Sequence, residues 1–160
     1  MNGITDPDIF RRIREGDEAA FSTLFDAYYT PLCFFAIQYL KDMDRSRSLV
    51  QQVFVDFWIK REKTAPVRSV KSYVYQSVKN RCIDWLRRAK KSEEISERIE
   101  NQSQMPFRDL VAEAEINGHI NASINQLPEK CREIFLLCRF EGLKYGEIAE
   151  KLGISVKTVE

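Results

Sequence analysis

Apolar residues return every three or four positions along most of this 160-residue chain, the spacing of helices that bury one face. Asp6-Pro7 is a helix-start signal, and Ile9, Phe10 and Ile13 form a short stripe that Gly16 ends. Asp17 can cap a second helix carrying Ala20, Phe21, Leu24, Phe25 and Tyr28. Thr30-Pro31 predicts a restart, with Thr30 as N-cap and Pro31 in the first helical position, before Leu32, Phe35, Ala36, Tyr39 and Leu40 continue the stripe. A break at Asp42 to Asp44 precedes a third helix, from Asp44 or Ser46 to about Lys60, with Leu49, Val50, Val53, Phe54, Phe57 and Trp58 inward. Val55 and Ile59 fall off that stripe beside Gln51 and Gln52. They form either a docking surface for another protein or a contact with a neighbouring helix of the same domain. After a Pro-containing loop, Lys63 to Arg68, a helix from Ser69 to Lys91 is predicted to bury Val70, Val74, Val78, Cys82 and Trp85.

The pattern then lapses. Ser92 to Arg108 is rich in Ser, Glu, Asn and Gln and reads as a tether, with Ile95 and Ile99 supporting at most a frayed turn. Periodicity resumes at Asp109 with Leu110, Ala114, Ile116, Ile120 and Ile124, and Leu127-Pro128 turns the chain. Glu129 to Phe140 follows with Cys131, Ile134, Phe135 and Cys138 expected inside, ended by Gly142. From Tyr145 the pattern is that of a helix-turn-helix. Ile148, Ala149 and Leu152 line the inner face of a short helix, and Ala149 is small enough for a second helix to cross above it. Gly153 permits the tight turn, Ile154 plugs the core and Ser155 caps the next helix, which would enter a major groove.

Charge adds what periodicity cannot. The whole chain carries +1, yet Lys60 to Lys91 holds eleven bases against Glu62 and Asp84, a net of +9 that leaves −8 for the rest. So concentrated a positive field attracts polyanions. Within it, Lys71, Lys79, Arg81, Arg87, Arg88, Lys90 and Lys91 share the predicted helix with Tyr73, Tyr75, Gln76 and Asn80. Cations reach phosphates, rings stack on unpaired bases and amides read base edges, so this is a candidate nucleic-acid-binding helix. An ordinary solvated basic face is the competing reading.

Composition narrows the class. An apolar fraction of 44% supports a packed core, and the few Gly and Pro favour helices. The longest apolar run, Leu32 to Ile37, is far short of the roughly 20 residues that cross a bilayer. Met1 to Asp8 is polar and acidic, so no secretory signal is visible and a cytoplasmic location is expected. Cys33, Cys82, Cys131 and Cys138 lack CxxC spacing and are expected to be buried free thiols, ahead of zinc or a disulfide. His119 has no partner at ligand spacing, and Asp56 and Asp84 read as lone acids, so no catalytic constellation is visible.

Both blocks together resemble bacterial sigma factors of the extracytoplasmic-function group, the compact two-domain members of the sigma-70 family. The resemblance rests on GDEAAFSTLFDAYY, LVQQVFVDFW, SYVYQSVKNRCIDWLRR, LPEKCREIFLL and YGEIAEKLGISVKTVE, in that order, and covers nearly the whole chain. It implies an all-α protein of two small helical domains, 1–91 and 109–160, joined by a flexible polar linker over 92–108. It implies a non-enzymatic promoter-specificity subunit without a cofactor, bound to core RNA polymerase (β′ clamp helices and β flap), to promoter DNA and, as is common in the group, to an anti-sigma factor.

By position, Leu49, Gln51, Gln52, Phe54 and Val55 match the segment that grips the clamp helices. The loop holding Lys63 and Arg68 resembles the part that captures a flipped base of the −10 element. Lys71, Tyr75, Gln76, Lys79, Asn80, Asp84, Arg87 and Arg88 lie on the helix that reads and melts that element. Tyr145, Ser155, Val156, Lys157, Thr158 and Glu160 fall in the module that binds the −35 element. Two features depart from the family. Ser48 and Gln52 stand where acids are usual, and the chain given ends at Glu160, about one turn into the recognition helix, which predicts weak −35 binding. LGISVKTVE also occurs in LuxR-type regulators, which bind duplex DNA without polymerase, and a helical interaction protein is a third reading.

Overall fold

The computed structural model describes residues 6–89 and 106–160, and every regular element among them is a helix. The helices are α1 (Asp6–Arg14), α2 (Glu18–Leu40), α3 (Met43–Lys60), α4 (Val70–Arg88), α5 (Phe107–Asn125), α6 (Glu129–Phe140), α7 (Tyr145–Leu152) and α8 (Val156–Val159). They form two compact units, Met1–Gly118 and His119–Glu160, so the first part of α5 belongs to the first unit. The expected tether lies outside the described residues up to 105, as do Ile95 and Ile99, and α5 starts two residues before the predicted Asp109.

Local chemistry starts these helices where the sequence predicts. The Asp17 carboxylate accepts from Ala20 N at 3.1 Å, and Ser69 Oγ accepts from Ser72 N at 3.1 Å, each satisfying one free amide of a first turn. Asp42, expected only as a break, is itself the cap of α3, accepting from Arg45 N at 3.0 Å. The predicted restart at Thr30-Pro31 is not found, because α2 runs unbroken through Pro31. An interior proline costs about 3 kcal/mol. Leu32, Phe35, Ala36, Tyr39 and Leu40 beyond it are all buried, at about 1.5–3 kcal/mol for each large side chain, so burial outweighs the lost hydrogen bond.

In the first unit α1, α2, α3 and α4 pack around one core. The buried ridge of α4 steps by four through Val70, Val74, Val78 and Cys82 to Leu86. Leu86 takes the place expected for Trp85, which is half-buried beneath the Arg45 guanidinium, 4.3 Å from its ring centre. Tyr75 is also corrected. It is fully buried, edge-on to Phe35 of α2 at 5.2 Å, and its hydroxyl has no hydrogen-bond partner among the described residues.

The second unit is smaller. Leu137, Ile148, Ala149 and Val159 form its core, with Ile134, Leu143, Leu152 and Ile154 half-buried around them. Several residues expected inside are exposed: Ile120, Phe135, Cys131 and Cys138 here, and Ile116 in the first unit. So few short elements cover only a narrow strip of each helix, and on α6 that strip centres on Leu137. No helix among the described residues is long and apolar enough to cross a membrane.

Candidate nucleic-acid interface

Because the inner ridge of α4 steps by four, its outer ridge does too, and Ser72, Gln76, Asn80, Asp84 and Arg88 stand exposed along it. Gln76 Nε2 donates to Asn80 Oδ1 at 3.1 Å, which leaves the Asn80 amide NH₂ and the Gln76 carbonyl free to meet an outside partner. Arg87 is exposed beside this ridge. Tyr73, the other ring considered for stacking, is half-buried against Phe57 at 5.4 Å.

The cations divide into two sets. Arg81 is ion-paired with Asp56 of α3, Lys71 Nζ lies 2.5 Å from Glu115, and Lys79 Nζ stands 5.4 Å over the Phe107 ring. Arg87 and Arg88 are exposed and make no ion pair among the described residues, and the same holds for Lys63 and Arg68 in the loop before α4. Lys90 and Lys91 lie outside the described residues. The free positive charge is therefore in the loop and at the far end of α4.

Clefts open beside the loop before this helix and beside the helix itself. One, of about 450 Å³, opens between α1 and the loop, with Phe10 and Val67 apolar and Arg11, Arg14 and Glu62 polar in its wall. The other, of about 580 Å³, runs between α3 and α4 and joins Arg45, Ser48, Gln52, Asp84, Trp85 and Arg88. Arg45, which the sequence did not single out, lines this cleft. Nothing along the chain links it to Trp85; only the crossing of α3 over α4 does.

On α3 the outward face is as predicted: Val55 is 49% and Ile59 68% exposed, with Gln51 and Gln52 exposed beside them. A neighbouring helix of the first unit does not cover them. Leu49 and Phe54, assigned to the same face by resemblance, are core residues; Phe54 packs against Phe25 at 4.9 Å between ring centres. Gln51 Nε2 donates to the Tyr29 hydroxyl at 3.2 Å and Gln52 Nε2 to Asp56 Oδ1 at 3.0 Å, so both amides are held in place.

In the second unit the turn between α7 and α8 is built as the sequence predicts. Gly153 takes a left-handed φ of 66°, Ile154 N donates to Ala149 O at 3.0 Å, and Ser155 Oγ accepts from Thr158 N at 3.2 Å. The Glu147 carboxylate accepts from Lys144 N at 2.7 Å at the start of α7. Tyr145, Ser155, Val156, Lys157, Thr158 and Glu160 are all exposed.

A helical unit with a polar outer ridge ending in arginines that make no ion pair among the described residues, followed by a helix-turn-helix, is an arrangement that suits nucleic acid. Residues 24–92 match the family described as Sigma-70 region 2, and residues 120–160 that described as Sigma-70, region 4. The RNA polymerase sigma factor SigZ of Bacillus subtilis is 30% identical over 132 residues, covering 82% of this chain and 74% of that protein. The ECF RNA polymerase sigma factor SigW of the same species is 22% identical over 94% of this chain and 86% of its own length. The ECF RNA polymerase sigma factor RpoE of Cereibacter sphaeroides is 26% identical over 95% of this chain and 85% of its own length. A solved structure of CnrH in complex with the cytosolic domain of CnrY covers 96% of this chain and 86% of its own, at 22% identity and a TM-score of 0.41, too low to define a shared arrangement. The chain belongs to the sigma-70 family of RNA polymerase sigma factors, in its extracytoplasmic-function group, a family of transcription factors and not of enzymes. That membership assigns LGISVKTVE to sigma region 4 and not to a LuxR-type regulator.

Proposed function

We propose that this chain docks on core RNA polymerase through the outer face of α3, opens the −10 element along α4 and its preceding loop, and binds the −35 element with α7 and α8. The observation that carries the reading is the pairing of two unlike surfaces in the first unit. An apolar pair, Val55 and Ile59, flanked by ordered amides, suits a protein partner, whereas Gln76, Asn80, Arg87 and Arg88 suit nucleic acid. Gln51, Gln52 and Val55 would meet the β′ clamp helices, with Leu49 and Phe54 shaping that face from beneath. Lys63 and Arg68 would hold the backbone while the cleft beside Phe10 and Val67 receives an unstacked base. Asp84 would bias which base edge is accepted, since a carboxylate accepts hydrogen bonds and donates none.

Residues 1–91 form the −10 and polymerase module in this reading, and 109–160 the −35 module, which also meets the β flap. An anti-sigma factor that occludes these faces completes the set of partners. Run-off transcription on genomic DNA with purified core polymerase tests the whole assignment. The chain should copurify with core and redirect initiation to a defined promoter set; binding duplex DNA while ignoring core would refute it.

A further inference from the structure

Of the three engaged cations on α4, two have their partners on one helix. Glu115 holds Lys71 at 2.5 Å, and Phe107 lies 5.4 Å beneath the Lys79 ammonium. Both belong to the part of α5 that is packed in the first unit. A single ridge seats that part: Leu110, Ala114 and Gly118, four residues apart, are all buried, while Ile116 on another side is 60% exposed. Gln38 Nε2 donates to Leu110 O at 3.3 Å, and Phe107 meets Phe35 edge-on at 5.8 Å. At Gly118 an added Cβ would already stand 3.1 Å from Pro31 Cγ, so a side chain as large as leucine there would push α5 away from α2.

We propose that residues 107–118 are a removable strap that closes a latent phosphate-binding site made by Lys71 and Lys79. While the strap is seated, the two ammonium groups are satisfied by Glu115 and Phe107. Once it lifts, they extend the positive ridge of Arg87 and Arg88 along α4, and a nucleic-acid backbone replaces Glu115. The contacts to be exchanged are a half-exposed ion pair and one cation–π contact, while the buried ridge of Leu110, Ala114 and Gly118 keeps the strap seated against single-stranded DNA alone. The inference rests on α4 being the DNA-binding helix.

The test measures binding of a labelled oligothymidylate to the full chain across a salt series. In Gly118→Leu the strap is forced off, two more phosphates are neutralised, and the slope of log K against log salt should steepen by about 1.4, or about sevenfold more affinity lost over a fourfold rise in salt. Glu115→Gln, which keeps the glycine and frees Lys71 alone, should steepen it by about 0.7. Lys71→Ala with Lys79→Ala should leave the native chain unchanged and abolish the gain in the Gly118→Leu background, with helicity followed by circular dichroism.

Equal losses from the lysine pair in both backgrounds would overturn the strap, since the site would then be open already. So would an unchanged slope in Glu115→Gln at full helicity, which stands even if Gly118→Leu does not fold. Arg87→Ala with Arg88→Ala separates the two ideas. If that pair weakens binding while lifting changes nothing, only the strap is wrong; if neither matters, the assignment of α4 to DNA goes with it.

Discussion

Arg81 of α4 and Asp56 of α3 are ion partners across the first unit, and Gln52 donates to the same carboxylate at 3.0 Å. Read along the chain, Arg81 is one of seven helix cations and Asp56 a lone acid; in the fold each answers the other. The pair fixes α4 against the helix whose outer face carries Val55 and Ile59.

Removing it should be felt mildly and with a defined pH dependence. A partly exposed pair is worth about 0.5–1 kcal/mol. Arg81→Ala should therefore lower Tm by about 2–6 °C near neutral pH. Arg81 first, then Gln52, hold the Asp56 carboxyl below its ordinary range. A carboxyl depressed in the folded state stabilises above its unfolded value and loses that contribution as pH falls through the folded value. The gap between variant and parent should close in acid, as calorimetry over a pH series would read. A gap that is constant in pH would assign the loss to packing.

Arg87 and Arg88 are the free cations at the end of α4. Replacing both with Ala should reduce the rate of promoter opening and flatten its dependence on salt by about 1.4 in the log–log slope, for two contacts to a single strand. Affinity for core polymerase, measured in the same preparation, should not change. Opening that keeps its rate and slope would remove this end of the helix from the mechanism.

Tyr75 gives a prediction of the opposite sign. Its hydroxyl is buried without a hydrogen-bond partner among the described residues, and burial, followed by the charge of Glu115, pushes its pKa up. An unpaired buried hydroxyl costs about 1–3 kcal/mol. Tyr75→Phe should therefore leave the protein as stable or raise stability by up to about 1 kcal/mol, and should leave promoter opening intact. Lost opening with unchanged Tm would return this ring to the DNA surface.

The four cysteines should separate into two classes under alkylation. Burial pushes Cys82 up to about 12 and Cys33 up to about 11, while Cys131 and Cys138 are exposed. Thiolate is the reactive form. Near pH 8, Cys131 and Cys138 should label within minutes and Cys33 and Cys82 only on unfolding, as peptide mass spectrometry would show. Early labelling at Cys82 would mean that the buried ridge of α4 opens far more easily than its burial implies.

Along the chain, what is legible is whatever depends on neighbours three or four residues apart. Asp17 caps its helix, Gly153 and Ser155 shape the turn, the steps from Val70 to Cys82 line the core, and Val55 and Ile59 fall outside the stripe. Each follows from the pitch of a helix and the hydrogen bonds of its ends, which a few consecutive residues determine. Tertiary structure decided which members of a set were used. It buried Tyr75 because α2 covers a second side of α4, and it engaged Arg81 and Lys71 while leaving Arg87 and Arg88 free. It also carried α2 through Pro31 and set Arg45 over Trp85. Those outcomes depend on where helices cross, and a crossing joins residues that sequence distance does not relate.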